Sequence, residues 1–144
     1  MVGVNTKRNQ QEKSAHDQAV AAIKLARFGF PNAQRPNWRV AINEPSITRW
    51  VNAKSGKVYP DIVVWDSTTQ DESAVMLGEV ETASTVNAQE VAQWSEYSQL
   101  VPEFFLYVPV GYGVVARRLA SGVAIRGYRE WSFLPNGTIN VVNC

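Results

Sequence analysis

The first clear hydrophobic pattern in the chain lies over residues 14–28. Apolar side chains there recur at a spacing of three or four residues, Ser14 can serve as an N-cap, and Gly29 follows the last apolar position. The spacing predicts an amphipathic helix. Residues 1–13 before it are mostly polar and are predicted to be flexible.

Short apolar runs separated by polar loops follow this helix. Residues 38–42 (WRVAI) predict a short strand, and residues 52–57 (NAKSGK) have the composition of a turn. Residues 61–65 (DIVVW) and 74–80 (AVMLGEV) are the most strand-like stretches, and the polar loop between them favours a hairpin. Because the second run is continuously apolar before Glu79, it is typical of a central strand that is covered on both faces.

The second half of the chain predicts one longer helix, a buried strand and a closing hairpin. Residues 87–101 show helical spacing, and Asn87 and Glu90 stand three apart in the manner of a capping box. Residues 104–110 (FFLYVPV) predict a buried strand, residues 111–121 a turn and a short helix, and the segment around PNG a hairpin. This order of elements predicts an α/β fold in which helices flank a central mixed sheet.

The composition favours one domain without a membrane-spanning segment. The chain has 144 residues, 45% of them hydrophobic, which suffices for a single core. No apolar run approaches the roughly 18 residues that a membrane span requires, so we expect a cytoplasmic protein without a membrane partner. The only cysteine, Cys144, has no disulfide partner, and the only histidine, His16, argues against a histidine-rich metal site. We interpret His16 as a helix-surface residue.

Charge is distributed unevenly along the chain, although the net charge is only +1. Residues 1–60 contain ten Lys and Arg against three acids, whereas residues 61–101 contain eight acids and no Lys or Arg. A run of like charge is usually a solvated face. The acidic segment also contains acids at the ends of apolar strands, and exposure to solvent does not explain why acids occur at those positions.

Three acids are expected to converge at one edge of the predicted hairpin. Glu79 and Glu81 are two positions apart in a strand, so their side chains point to the same face. If the two strands are antiparallel, Asp61 at the start of the first lies beside the end of the second. Three carboxylates repel one another unless a cation or a proton offsets their charge, and all-oxygen ligands on strands suit Mg²⁺, with Mn²⁺ as a substitute.

The same residues resemble the PD-(D/E)XK nuclease superfamily of restriction endonucleases, resolvases and recombination exonucleases. The resemblance rests on Pro60-Asp61, a strand, Glu79-Val80-Glu81, and a following helix, and it spans about residues 14–110. It implies a single nuclease-like domain over residues 1–144 with a restriction endonuclease-like core in the order αβββαβ. It also implies metal ligation by Asp61, Glu79 and the carbonyl of Val80.

Two further features of the resemblance concern the surroundings of the predicted site. Gln93 and Tyr97 are similar to the Gln-x-x-x-Tyr signature of the helicase-associated exonuclease branch, in which that helix flanks the site. Glu81 stands where the superfamily usually has a lysine, and some members use Glu-x-Glu with the second glutamate as general base or ligand. Alternatively, Lys57, four residues before Asp61, supplies the cation from a shifted position.

These residues together predict a Mg²⁺-dependent nuclease that acts on DNA through a metal-activated water. The alternative is a non-catalytic module that keeps the nuclease-like fold and binds nucleic acid or a protein partner. A homodimer is common in the superfamily, but no feature of the sequence marks an interface. It is also possible to interpret the acids as strand-initiating or solvent-facing residues and Trp94 and Tyr97 as core residues of an amphipathic helix.

Basic and aromatic side chains complete the set of candidate residues. Solvated helix faces are the ordinary interpretation of the basic residues, but they could instead line a phosphate-binding surface around the acids. The basic candidates are Lys7, Arg8, Lys13, Lys24, Arg27, Arg117 and Arg118. Trp50, Trp65 and Trp131 could stack on bases, although core packing is the more common role for tryptophan.

Residues 111–116 (GYGVVA) match the Gly-x-Gly-x-x-Ala pattern of dinucleotide-binding turns, with Glu130 as a candidate for binding a ribose. A dinucleotide-binding unit that began with the strand at residue 104 would leave too few residues for its remaining parallel strands. A strand-to-helix turn that needs glycine flexibility is therefore the ordinary interpretation.

Overall fold

The computed structural model describes residues 8–144, and its first element is helix α1, Gln10–Arg27. The side chain of Asn9 caps this helix by accepting a hydrogen bond from the backbone N–H of Glu12, so Ser14 is not the N-cap. Residues 10–13, which were predicted to be flexible, are helical, and residues 1–7 lie outside the described part of the chain. The backbone N–H of Ser84 donates to the Glu12 carboxylate over 3.1 Å, which ties the start of α1 to the loop after the central strand.

Eight strands in the described part of the chain form one large and one small sheet. The strands are β1 Trp38–Ile42, β2 Val51–Ala53, β3 Gly56–Val58, β4 Ile62–Asp66, β5 Ala74–Val80, β6 Glu103–Pro109, β7 Gly127–Phe133 and β8 Ile139–Asn143. The large sheet has the order β1-β4-β5-β6-β7-β8, and β2 pairs with β3. Strand β6 is parallel to both β5 and β7, and the other pairs are antiparallel. The predicted mixed α/β sheet is confirmed.

The predicted hairpin of two apolar strands is also confirmed. Ile62 at the start of β4 pairs with Gly78 near the end of β5, so the residues before β4 and after β5 meet at one edge. Strand β5 lies between β4 and β6, as its continuous apolar sequence predicts. Residues 52–57 form more than a turn, because they include most of the small β2–β3 hairpin.

Helices cover both faces of the large sheet. Helix α2, Val91–Leu100, and helix α3, Gly113–Leu119, pack on the face to which Leu77 points, whereas α1 packs on the opposite face against Val80. Because side chains alternate along β5, Glu79 and Glu81 share the α2 face with Leu77. The closing hairpin of β7 and β8 and the short helix α3 both appear where the sequence predicts them.

The GYGVVA segment is a strand-to-helix turn, and Glu130 serves it as a cap. The Glu130 carboxylate accepts a hydrogen bond of 2.8 Å from the backbone N–H of Gly113, the first residue of α3. Gly111 has φ of 91°, a left-handed conformation that favours glycine. The acid considered for a ribose therefore satisfies a free N–H at a helix start.

Replacing this cap gives a first testable prediction. Glu130→Ala should lower the free energy of unfolding by about 1 kcal/mol, since it leaves the Gly113 N–H without its side-chain acceptor. Urea unfolding followed by circular dichroism measures the change. Glu130→Gln keeps an oxygen acceptor and should lose less, so equal losses in the two variants would contradict the capping role.

Candidate functional site

The hairpin brings Asp61 and Glu79 into contact at the edge where β4 begins and β5 ends. The backbone N–H of Asp61 donates to Glu79 Oε1 over 3.0 Å, and the backbone N–H of Val80 donates to Asp61 Oδ2 over 2.8 Å. Both side chains are almost fully buried, with 5% and 7% of their surface exposed. The two acids that were predicted to converge are therefore held together by backbone groups of the strands that carry them.

Glu81, the third acid that was predicted to converge here, is buried one residue beyond β5. Its Oε2 accepts a hydrogen bond of 2.7 Å from the indole N–H of Trp94 on α2, and its Oε1 lies 3.3 Å from Nη2 of Arg8. Only 1% of Glu81 is exposed. Its carboxylate is thus occupied on one side by a neutral donor and on the other by a cation.

Gln93 and Tyr97 reach the same site from α2. With its nitrogen directed at the acids, the Gln93 amide donates to Glu79 Oε2 over 3.2 Å and to Glu90 Oε1 over 3.3 Å. Its oxygen accepts a hydrogen bond of 3.2 Å from the Tyr97 hydroxyl. Tyr97 is buried and Gln93 is exposed, so the side of Glu79 that faces α2 opens to solvent at Gln93.

Arg8, one of the basic candidates for a phosphate-binding surface, contacts the acidic site directly, which the sequence did not predict. Its Nε donates to Thr82 Oγ1 over 2.9 Å, and its Nη2 donates to the Val80 carbonyl over 3.1 Å and to Thr85 Oγ1 over 3.3 Å. The guanidinium therefore contacts two groups that were expected to bind metal, the Val80 carbonyl and the Glu81 carboxylate. The sequence carries no signal for this contact, because more than 70 residues separate the partners.

Lys57, which was proposed to supply a cation to the acidic site, instead packs against a tryptophan. Its ammonium lies 4.1 Å from the ring centroid of Trp50, on the small β2–β3 hairpin. It makes no ion pair with a carboxylate in the part of the chain that the structure describes. Arg8, rather than Lys57, is the cation that contacts the acidic site.

His16 is buried beside Asp61, so its interpretation as a helix-surface residue is wrong. Only 1% of His16 is exposed; its Nε2 lies 3.0 Å from Asp61 Oδ2, and its Nδ1 lies 3.3 Å from Asp17 Oδ1. The spacing of His16 relative to Ala19, Val20 and Ile23 places it on the buried face of α1. That spacing was visible in the sequence and could have identified the residue.

One group of side chains in residues 8–144 has the geometry of a metal site. His16, Glu44 and Asp61 each offer a ligand atom, and the three atoms lie within 4.8 Å of one another, whereas the trio Asp61, Glu79 and Glu81 does not meet this criterion. One imidazole nitrogen and two carboxylates suit Mn²⁺ or Zn²⁺ better than Mg²⁺, which prefers oxygen ligands. Asp17 on the second ring nitrogen is the type of outer partner that orients a ligating histidine.

Burial and like charges shift the pKa values of the site's acids. Burial, and then the charges of Asp61 and Glu81, raise the pKa of Glu79 well above its usual value. Burial raises the pKa of Glu81 to about 7, against the opposing effect of polar contacts with Thr85 and Trp94. Burial opposes the charged form of His16, but the hydrogen bond and charge of Asp61 raise its pKa overall. The site retains protons near neutral pH, which a bound cation would displace.

The predicted phosphate-binding residues lie in several places, and Lys7 is outside the described residues. Lys13 adjoins the metal-type cluster, because its Nζ lies 2.7 Å from Glu44 Oε1. Arg27 donates to the Val141 carbonyl and to Asn143 on β8, the edge strand across the sheet from β1. Among the described residues, no acid forms an ion pair with the remaining candidates Lys24, Arg117 and Arg118. Arg117 instead donates to the main-chain oxygen of Cys144.

The tryptophans proposed to stack on bases differ in exposure. Trp131 is buried, and its indole N–H donates to the Glu81 carbonyl over 3.1 Å. Trp65 is half-buried beneath the guanidinium of Arg49, 3.7 Å from its ring centroid. Trp50 has 48% of its surface exposed. Of the three, only Trp50 presents a large part of its ring to solvent.

The chain matches no family model, no curated protein and no solved structure. Within residues 8–144, every helix is too short or too polar to cross a membrane.

Proposed function

We propose that the chain is a metal-dependent nuclease that hydrolyses phosphodiester bonds of DNA. The observation that carries the proposal is the buried contact of Asp61 with Glu79 on one side and with His16 on the other. His16 contacts the Asp61 carboxylate, while Glu79 accepts from the Asp61 backbone N–H and lies beside Gln93. Such a desolvated group of acids is costly to maintain for the fold alone and is typical of metal or proton chemistry.

The carboxylate oxygens and the imidazole nitrogen at this site are atoms that commonly bind divalent metal ions. Asp61, His16 and Glu44 would hold such an ion, with Glu79 as a further carboxylate on the β5 side of Asp61. A bound ion would polarise a phosphate and lower the pKa of an attacking water. The nitrogen donor favours Mn²⁺ over the Mg²⁺ that an all-oxygen site would take. Mg²⁺ is the second ion to test, because Asp61, Glu44 and Glu79 would supply oxygen ligands.

Arg8 fits the role of the lysine that the Glu79-Val80-Glu81 sequence lacks. Its guanidinium lies against Glu81 and the Val80 carbonyl, and its planar fork suits the oxygens of a phosphate. In the proposed reaction it would stabilise negative charge that develops on the phosphate. Glu81, held by Arg8 and Trp94, is then a candidate for positioning the water or accepting its proton.

A cleavage assay tests the proposal. The full chain is incubated with single-stranded, double-stranded and branched DNA in Mn²⁺, in Mg²⁺ and in EDTA. Cleavage is expected with metal only. Glu79→Gln should reduce the cleavage rate by at least about tenfold. Removing an outer partner of a metal ligand typically costs about ten- to hundredfold, and Glu79 is proposed to contact the ion itself. Glu96→Gln on α2, where the acid contacts Ser55 instead, is the matched control and should cleave normally.

The contact of Arg8 also favours a second candidate, a non-catalytic module that binds nucleic acid or a protein. A guanidinium already lies against the Val80 carbonyl and Glu81, where a cation could otherwise bind. Calorimetric titration with Mn²⁺ separates the two candidates. A nuclease should give a binding heat that His16→Gln abolishes, whereas the binding module should give none and should cleave no DNA.

A further inference from the structure

A cleft of about 540 Å³ lies between the segment that leads into β2, the loop before β5 and the last turn of α2. We call it the Trp50 cleft, and the lining residues that matter here are Arg49, Trp50, Val63, Asp71, Glu72 and Leu100. Its volume is within the roughly 300–1,000 Å³ of ligand sites. We propose that the Trp50 cleft binds a nucleobase of a single-stranded nucleic acid.

The first reason is the exposed aromatic ring on the cleft wall. Trp50 has 48% of its surface exposed, while Trp94 and Trp131 are buried. The Lys57 ammonium lies over one face of the Trp50 ring, 4.1 Å from its centroid, so a base that stacks on the other face has a positive charge on the far side of the ring. Stacking on an aromatic ring beside a cation is how proteins bind bases and phosphates of single strands. A base that is paired and stacked in a duplex cannot offer its face in this way.

The second reason is the polarity of other residues that line the cleft. Asp71 and Glu72 are exposed carboxylates there, and Nη2 of Arg49 lies 3.5 Å from Glu72 Oε1. Carboxylates repel phosphate but accept hydrogen bonds from the exocyclic amino groups of bases. The cleft therefore suits a base that carries an amino group, with its phosphate outside and near Lys57.

The third reason is the position of the cleft beside the carboxylates. Val63 in its floor is two residues after Asp61, which corresponds to about 7 Å along β4. Leu100 at its end is three residues after Tyr97, whose hydroxyl contacts Gln93 beside Glu79. A base in the cleft would bring the backbone of the same strand towards Asp61. The assignment rests on the proposed function, since the neighbouring carboxylates make nucleic acid the expected ligand.

Binding measured without catalysis tests the inference. Fluorescence anisotropy of a labelled oligodeoxycytidine is followed as the full chain is titrated in EDTA, so that no cleavage occurs. We expect Trp50→Ala to weaken binding about five- to hundredfold, Trp50→Tyr to retain most of it, and a duplex of the same length to compete poorly. Phe133→Ala is the matched control, because it removes another exposed aromatic ring away from the cleft and should bind like the unmodified chain.

Several outcomes would overturn the assignment. These are no measurable binding of the single strand, unchanged binding by Trp50→Ala, or equal competition by the duplex. Thermal unfolding of Trp50→Ala confirms that the variant is folded, and a folded variant is expected because the side chain is half-exposed. The cleavage assay distinguishes failure of this inference from failure of the proposed function. If Trp50→Ala cleaves DNA and binds it like the unmodified chain, the cleft assignment is wrong and the nuclease proposal stands. If binding depends on Trp50 but no DNA is cleaved, the nuclease proposal is wrong and the cleft assignment stands.

Discussion

Trp94→Ala should lower the free energy of unfolding by about 3–5 kcal/mol, the usual cost of removing a large aromatic side chain from a core. Trp94 is fully buried between α2 and the sheet, where it packs in the same cluster as Leu77 and Leu106. Its indole N–H also donates to Glu81 Oε2 over 2.7 Å. The alanine variant therefore has a cavity and also a buried carboxylate that has lost its neutral donor. Urea unfolding monitored by far-ultraviolet circular dichroism measures the loss.

Trp94→Phe separates packing from hydrogen bonding. Phenylalanine keeps most of the aromatic volume but cannot donate to Glu81, so we expect a loss of about 1.5–3 kcal/mol, the range for hydrogen bonds to charged groups. Combining Trp94→Phe with Glu81→Leu should recover part of that loss, because the acceptor is then also removed. A phenylalanine variant as stable as the unmodified chain would contradict the role of the indole N–H.

Local patterns in the sequence predicted the strands that carry the acids. The apolar runs before and after the polar loop specify β4 and β5, and the hairpin between them follows from their proximity in the chain. Once the hairpin exists, Asp61 and Glu79 must lie at one edge. The same reasoning placed Gln93 and Tyr97 on the helix that follows, since their spacing of four residues puts them on one helical face.

The sequence did not predict the contacts that α1 and the residue Arg8 before it make with the acids. Arg8 and Glu81 are 73 residues apart, and no spacing rule connects positions on different elements over such a distance. His16 was misinterpreted for another reason. A buried polar side chain needs a hydrogen-bond partner, and the partner of His16 is Asp61, which is 45 residues away in the chain and so was not recognised from the sequence. Local periodicity thus identifies a buried face, but the tertiary fold decides what a buried polar group contacts.

Raising the pH from about 4.5 to above 7 should lower the free energy of unfolding by about 3 kcal/mol through Glu81 alone. Burial raises the pKa of Glu81 in the folded protein to about 7, from an ordinary value of 4.5. The folded state therefore binds this proton more tightly than the unfolded state. The stabilisation is fully present below pH 4.5 and is lost as the pH rises through about 7. Urea unfolding at a series of pH values, in EDTA, measures the slope.

Glu81→Gln isolates this contribution from those of its neighbours. The pKa values of Glu79 and His16 are also raised, so both residues add losses of the same sign as the pH rises. Glutamine cannot ionise, yet its oxygen can still accept the Trp94 hydrogen bond, so the variant should lose the Glu81 part of the pH dependence while keeping the fold. A variant with an unchanged slope would mean that Arg8 already keeps Glu81 ionised throughout this range. In that case the charge of Arg8, rather than a proton, offsets this buried carboxylate.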